Sequence, residues 1–196
     1  LNKLLLLFFT VITLCLQAQK LTYDVYLFGK KIGNMYVTKT VAADSSITYL
    51  LQSSSVATVM FITRRSSQNY LVTYKNGMLV KVDAVNYVND ETKTTKIVWN
   101  INKYIVNLNG KYSYINKPVI NSLLLCYFKE PALGTTIFSE RMAEYFTIKK
   151  DEEGLIEYTL SDGVRNRFHY KNGVPDFIEL KKSFITVEVK LVKVEQ

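Results

Sequence analysis

The chain is poor in the residues from which most catalytic and metal sites are built. It has one histidine and two cysteines in 196 residues, too few for a zinc site of the His/Cys kind. It contains no Gly-Lys-Ser/Thr phosphate loop, no Gly-x-Gly-x-x-Gly and no Gly-x-Ser-x-Gly, so nucleotide binding and the hydrolase elbow lose their sequence support. Eight glycines and three prolines exclude a collagenous or linker-like chain. Long apolar runs are scarce, and residues 4–16 form the one that stands out.

That run reads as a targeting signal. Lys3 supplies a short basic flank, residues 4–16 an apolar core, and Ala18 a small residue for cleavage. A bilayer span needs about 20 apolar residues, more than this core offers. Residues 1–18 are therefore expected to be a signal peptide, with a mature chain from Gln19. Cys15 offers a lipoprotein alternative, against which the bulky Leu14 stands where lipoprotein processing favours a small residue. The expected location is outside the cytoplasm, in the periplasm or at the cell surface.

If cleavage follows Ala18, Cys15 leaves and Cys126 has no partner for an intramolecular disulfide. Within Leu123-Leu124-Leu125-Cys126-Tyr127-Phe128 it reads as a small buried hydrophobe. A catalytic thiolate wants a nearby base, and His169 falls on the charged face of a strand. The neighbours Glu152 and Glu153 sit in a predicted turn as solvated carboxylates. Glu130 and Glu140 bracket an irregular segment and are expected to anchor it by accepting backbone N–H bonds, with catalysis the alternative. Asn166 is either a satisfied core amide or a ligand contact. No enzymatic activity, cofactor or metal is expected.

Aromatic residues are plentiful: 14 Tyr, 10 Phe and one Trp, a composition suited to pleated sheets. Alternation of apolar and polar residues recurs along the chain. In residues 164–171, Val164, Asn166, Phe168 and Tyr170 share one face, and Arg165, Arg167, His169 and Lys171 the other. Asn76-Gly77, Asn109-Gly110, Asp162-Gly163 and Asn172-Gly173 mark hairpins, because type I′ turns need positive φ at both central residues. Residues 47–62 read as one long strand whose small residues (Ser53, Ser55, Ala57) predict a bend. Residues 174–194 read as a single β-branched tail. The expectation is one all-β domain over residues 19–196, an antiparallel meander of about 10–12 strands forming a barrel or curved half-barrel.

The pattern breaks after Pro118. Residues 119–128 lack alternation and are apolar all round, which predicts a short helix or buried segment ending at Glu130-Pro131. Ala132 to Ser139 reads as a loop containing Gly134, and residues 140–150 as a strand.

Four stretches carry a resemblance: Tyr127-Phe128-Lys129-Glu130-Pro131, Phe138-Ser139-Glu140, Ser161-Asp162-Gly163-Val164-Arg165-Asn166 and Tyr170-Lys171-Asn172-Gly173. In this order the chain resembles an uncharacterised family of exported Bacteroidetes proteins, a domain of unknown function. Tyr23-Asp24-Val25-Tyr26 with Gly29 and Gly33 is similar to a second family, itself similar to periplasmic lipoprotein-carrier half-barrels. The resemblance implies a fold and a compartment and no chemistry.

The net charge is +8. Its basic doublets, Lys30-Lys31, Arg64-Arg65, Lys149-Lys150 and Lys181-Lys182, fall near predicted strand ends. A nucleic-acid site needs a denser basic stripe, so an anionic envelope surface is the expected polar partner; solubilising lysines on edge strands are the alternative. Two functions stay open. One is a carrier whose barrel holds a lipid or other apolar ligand on Trp99, Leu124, Phe128, Phe168 and Tyr170. The other is a structural or protein-interaction module of the envelope with a packed interior. A hollow or a filled interior decides between them.

Overall fold

The computed structural model describes residues 17–196, so residues 1–16 of the expected signal peptide lie outside the described residues. Gln17 and Ala18 already pair with Val41 and Thr40 at the start of the first strand.

The first eight strands form a continuous meander: β1 Gln17–Leu27, β2 Lys30–Val41, β3 Ile47–Val59, β4 Ile62–Lys75, β5 Met78–Val88, β6 Glu91–Asn100, β7 Lys103–Leu108 and β8 Lys111–Ile115. A crossing segment follows, with one 3-10 turn at Leu123–Tyr127 and a small hairpin, β9 Thr136–Ser139 with β10 Glu144–Thr147. The chain then adds β11 Lys149–Lys150, β12 Ile156–Thr159, β13 Arg165–Lys171, β14 Val174–Lys182 and β15 Ile185–Glu195. All thirteen strands outside the small hairpin join one antiparallel sheet, ordered β11-β12-β13-β14-β15-β1-β2-β3-β4-β5-β6-β7-β8. The chain closes on itself at β15–β1, but among the described residues β11 and β8 are unpaired edges, so the sheet curves without closing as a barrel.

One face of this sheet carries the core. Leu21, Tyr23 and Val25 of β1, Val72 and Tyr74 of β4, Ile97 of β6, Tyr104 and Val106 of β7 and Phe168 of β13 belong to one buried cluster. A sheet this wide brings one face onto one core only by curling around it. Bulges at Thr22/Tyr23, Val25/Tyr26, Thr73/Tyr74 and His169/Tyr170 add the local twist.

The small-residue waist of β3, where a bend is expected, pairs in unbroken register with β2 and β4 and is approached closely by β2. A Cβ placed on Gly33 would lie 2.0 Å from the carbonyl oxygen of Ser54 and 2.7 Å from the Cα of Ser55. Both obstacles are backbone, so neither rotates away. Gly33→Ala should therefore cost about 1–3 kcal/mol, read as a lower urea midpoint. An unchanged midpoint would mean that β2 and β3 part without cost.

Two hairpins were invisible to the turn code. β3 ends at Val59, and a two-residue turn at Met60-Phe61 starts β4, which carries Arg64 and Arg65 within it. The expected tail is likewise two strands, joined at Ser183-Phe184. Met60 (φ 48) and Phe61 (φ 69) hold the left-handed conformation that Asn and Gly supply at residues 76–77, 109–110 and 172–173. For a residue with a Cβ this conformation costs roughly 1–2 kcal/mol, which is why no turn was expected there. These hairpins and the short strands β9–β11 raise the total among the described residues to fifteen strands. Two smaller corrections follow: residues 136–139 are strand rather than loop, and residues 140–143 are a turn preceding β10. Ile101 leaves the face of Ile97 and Trp99 for an exposed turn.

Candidate functional site

The concave face of the sheet is where a ligand would have to sit, and the crossing segment runs through it. Pro118 and the loss of alternation take residues 119–128 out of the ladder, so their backbone groups need other partners. Val119 accepts from the Leu79 N–H at 2.9 Å and donates to the Tyr104 hydroxyl at 3.1 Å, and that hydroxyl donates to the Leu79 carbonyl at 2.8 Å. Ser122 makes a parallel bridge to Phe138 of β9.

Glu140 completes the anchoring. Its side chain is fully buried, and Oε1 accepts from Ser122 Oγ at 2.6 Å and from the Leu124 N–H at 3.0 Å. Ser122 Oγ in turn accepts from the Tyr74 hydroxyl at 2.8 Å. The neighbouring Arg141 reaches the other way. Its carbonyl accepts from Thr95 Oγ1 at 2.7 Å, and its guanidinium meets Asp162 at 2.7 Å. Glu130 is exposed and takes no part in this network.

Burial pushes the Glu140 carboxyl above its ordinary range, against the opposing pull of its Ser122 and backbone donors. A folded-state pKa above the ordinary 4.5 means the native protein keeps a proton that the unfolded chain has released. The contribution of this group is then full below about pH 4.5 and is lost as pH rises through the folded-state value. Glu140→Gln should flatten that decline, seen as a smaller loss of urea midpoint between weakly acidic and weakly alkaline buffer. An equal loss in wild type and variant would assign the pH dependence elsewhere.

Rings pack around the crossing segment. Phe146, Tyr158, Phe168 and Tyr170 stack in series, with centroids 4.3, 5.7 and 6.1 Å apart. Tyr127 meets Phe168 edge-on at 6.1 Å, and Tyr23 meets Tyr127 at the same distance. The Tyr170 hydroxyl donates to the Cys126 carbonyl at 2.9 Å.

Of the five residues proposed for an apolar ligand, four converge on the crossing segment. Leu124 and Phe168 are buried, while Phe128 packs on Tyr49 at 5.6 Å and Tyr170 closes over Cys126. Trp99 stands apart, edge-on to Tyr104 at 4.7 Å. None of the five lines either of two open depressions. The larger, about 660 Å³, is bounded by Gly33, Asn34, Ser53, Ser54, Ser67 and Gln68. The smaller, about 330 Å³, lies beside Lys171, Asp176 and Gln196.

Cys126 is buried, and desolvation pushes its thiol up to about 12. His169 is on the outer face, 2.6 Å from Asp176, so the sheet separates it from the thiol. Asn166 is buried, with its amide donating to the Val164 carbonyl at 3.1 Å, a satisfied core amide. Among the described residues no cluster of His, Cys, Asp and Glu could hold a metal ion.

A model of a domain of unknown function, DUF6134, matches residues 23–192. The chain belongs to the DUF6134 family. The match spans the sheet from β1 into β15 together with the crossing segment. A solved structure of a beta-barrel-like protein of the domain of unknown function DUF1849, from Brucella abortus, is similar in fold. It superposes with a TM-score of 0.57 at 15% identity, covering 92% of this chain and 98% of that one. No curated protein matches.

Proposed function

We propose that this DUF6134 protein is an exported, non-catalytic module of the cell envelope that acts through its outer surface. The observation that carries this reading is the filled concave face: residues 119–128 and the ring series occupy the space a carried ligand would need. A packed interior favours the interaction module over the lipid carrier, since carrying requires a cavity of several hundred Å³ lined by apolar groups. Export is supported by Lys3, the apolar residues 4–16 and Ala18.

The test is native mass spectrometry of protein expressed in a Gram-negative host, then exposed to added fatty acids and phospholipids. The expected spectrum shows protein starting at Gln19 without adducts. Stoichiometric lipid, retained or taken up, would restore the carrier; a retained leader or a lipidated Cys15 would overturn the processing site.

A further inference from the structure

Three hairpins that neighbour one another in the sheet, β14–β15, β1–β2 and β3–β4, turn at the same end, because every pairing between them is antiparallel. Adjacent turns are two strands apart, about 10 Å. Each presents bulky apolar groups to solvent: Phe184 is 84% exposed, Phe28 68%, Met60 88% and Phe61 102%. Ile62, beside Phe61, is exposed as well. Each also carries one of the basic doublets at its shoulder: Lys181-Lys182, Lys30-Lys31 and Arg64-Arg65, all exposed. Among the described residues only Lys31 of these six is in an ion pair, with Asp24 at 2.7 Å.

Folding does not account for this composition. Three other turns of the meander place Asn-Gly where φ is positive; the β3–β4 turn places Met60-Phe61 there, strained and without burial. A local rule broken without a packing gain points to a role outside the fold. The β3–β4 hairpin is also free-standing at its tip. β2 pairs with β3 only as far as Ser55, and β5 with β4 only from Ser66. Asn89 still holds Arg65 through both of its backbone groups, and residues 56–64 beyond it form a two-stranded ribbon without a neighbouring strand, about 13 Å long at ~3.3 Å per residue.

The patch has limits. On the same end, the turns beyond it carry Asp90-Glu91 on one side and Asp162 on the other. At the opposite end the turns at 42–46, 76–77 and 172–173 are polar, with Ile101 the bulky exception.

We propose that this rim docks the protein on an anionic lipid bilayer. The apolar tips enter the interfacial layer, to which the ribbon's length is sufficient, while the doublets behind them meet the anionic head groups. Aromatic tips backed by cations match that layer in order, apolar first and charge behind. The proposal rests on the surface-acting reading above and names its partner.

The experiment is cosedimentation of the purified full chain with vesicles of phosphatidylcholine, with and without phosphatidylglycerol. The decisive variant is Met60→Asn with Phe61→Gly, which installs the turn chemistry the fold already uses elsewhere and so keeps or raises the urea midpoint. It should weaken binding to anionic vesicles about tenfold or more. Arg64→Gln with Arg65→Gln should weaken it too and reduce its salt dependence, whereas Ile101→Asn at the far end should leave it unchanged.

Binding of the tip variant to anionic vesicles at wild-type strength, or equal wild-type binding to neutral vesicles, would overturn the proposal. So would binding to protein-bearing envelope fragments but not to vesicles of their extracted lipid, which would give the rim to a protein partner. Lipid withdrawn from vesicles into soluble protein would instead contradict the surface-acting reading while leaving the docking rim in place.

Discussion

Glu140→Ala is expected to lower stability by about 3–5 kcal/mol, a large part of the roughly 5–15 kcal/mol typical of a domain. The change leaves the Ser122 hydroxyl and the Leu124 N–H, both buried, without the oxygen they share. Each orphaned donor costs about 1–3 kcal/mol, and the emptied volume adds to this. Glu140→Gln should be milder, since its amide oxygen can accept both bonds. Urea denaturation of the three proteins decides: if the alanine variant unfolds at the wild-type midpoint, Glu140 does not hold the crossing segment.

Leu124→Ala should loosen the same segment by apolar means. The side chain is 1% exposed within the core cluster, a setting in which such truncations cost about 2–5 kcal/mol. Cys126, two residues on, reports the loosening directly: its buried thiol is inert while the segment is docked. Thiol labelling, limited by the open population, should accelerate roughly thirty- to a few thousandfold for that range of free energy. Phe128→Ala, at a partly exposed position, should have the smaller effect. The far-UV spectrum should stay β-dominated in both. An unchanged labelling rate in Leu124→Ala would mean that the segment is fastened by its polar anchors alone.

The sheet was legible because its signals are local. Alternation in residues 164–171 predicted the inward Phe168 and outward Arg167 that the structure places there, since a strand's faces follow from period two alone. Asn76-Gly77 and Asn172-Gly173 announced their hairpins for a similar reason: the backbone conformation is a property of the two residues that adopt it. Met60-Phe61 and Ser183-Phe184 escaped because their turns are imposed against local preference, by the strands that zip up on either side.

Glu140 shows the same division at the site. A carboxylate beside an apolar, irregular stretch pointed to anchoring, but Glu130 fitted that description equally well. Only the fold brings Ser122, Leu124 and Tyr74 to one of them and leaves the other in water.

What followed from residue order was the all-β character, the antiparallel meander and the broken segment after Pro118, each set by neighbours in the chain. Tertiary structure decided how far the sheet curls, that among the described residues it does not close between β11 and β8, and that the crossing segment fills its concave side. It also gathered three basic doublets, spread over some 150 residues of sequence, beside apolar tips on one rim. These outcomes depend on which strands meet across long separations, and period-two patterning is silent on that. A strand's inward face is the same whether the space it faces is empty or full.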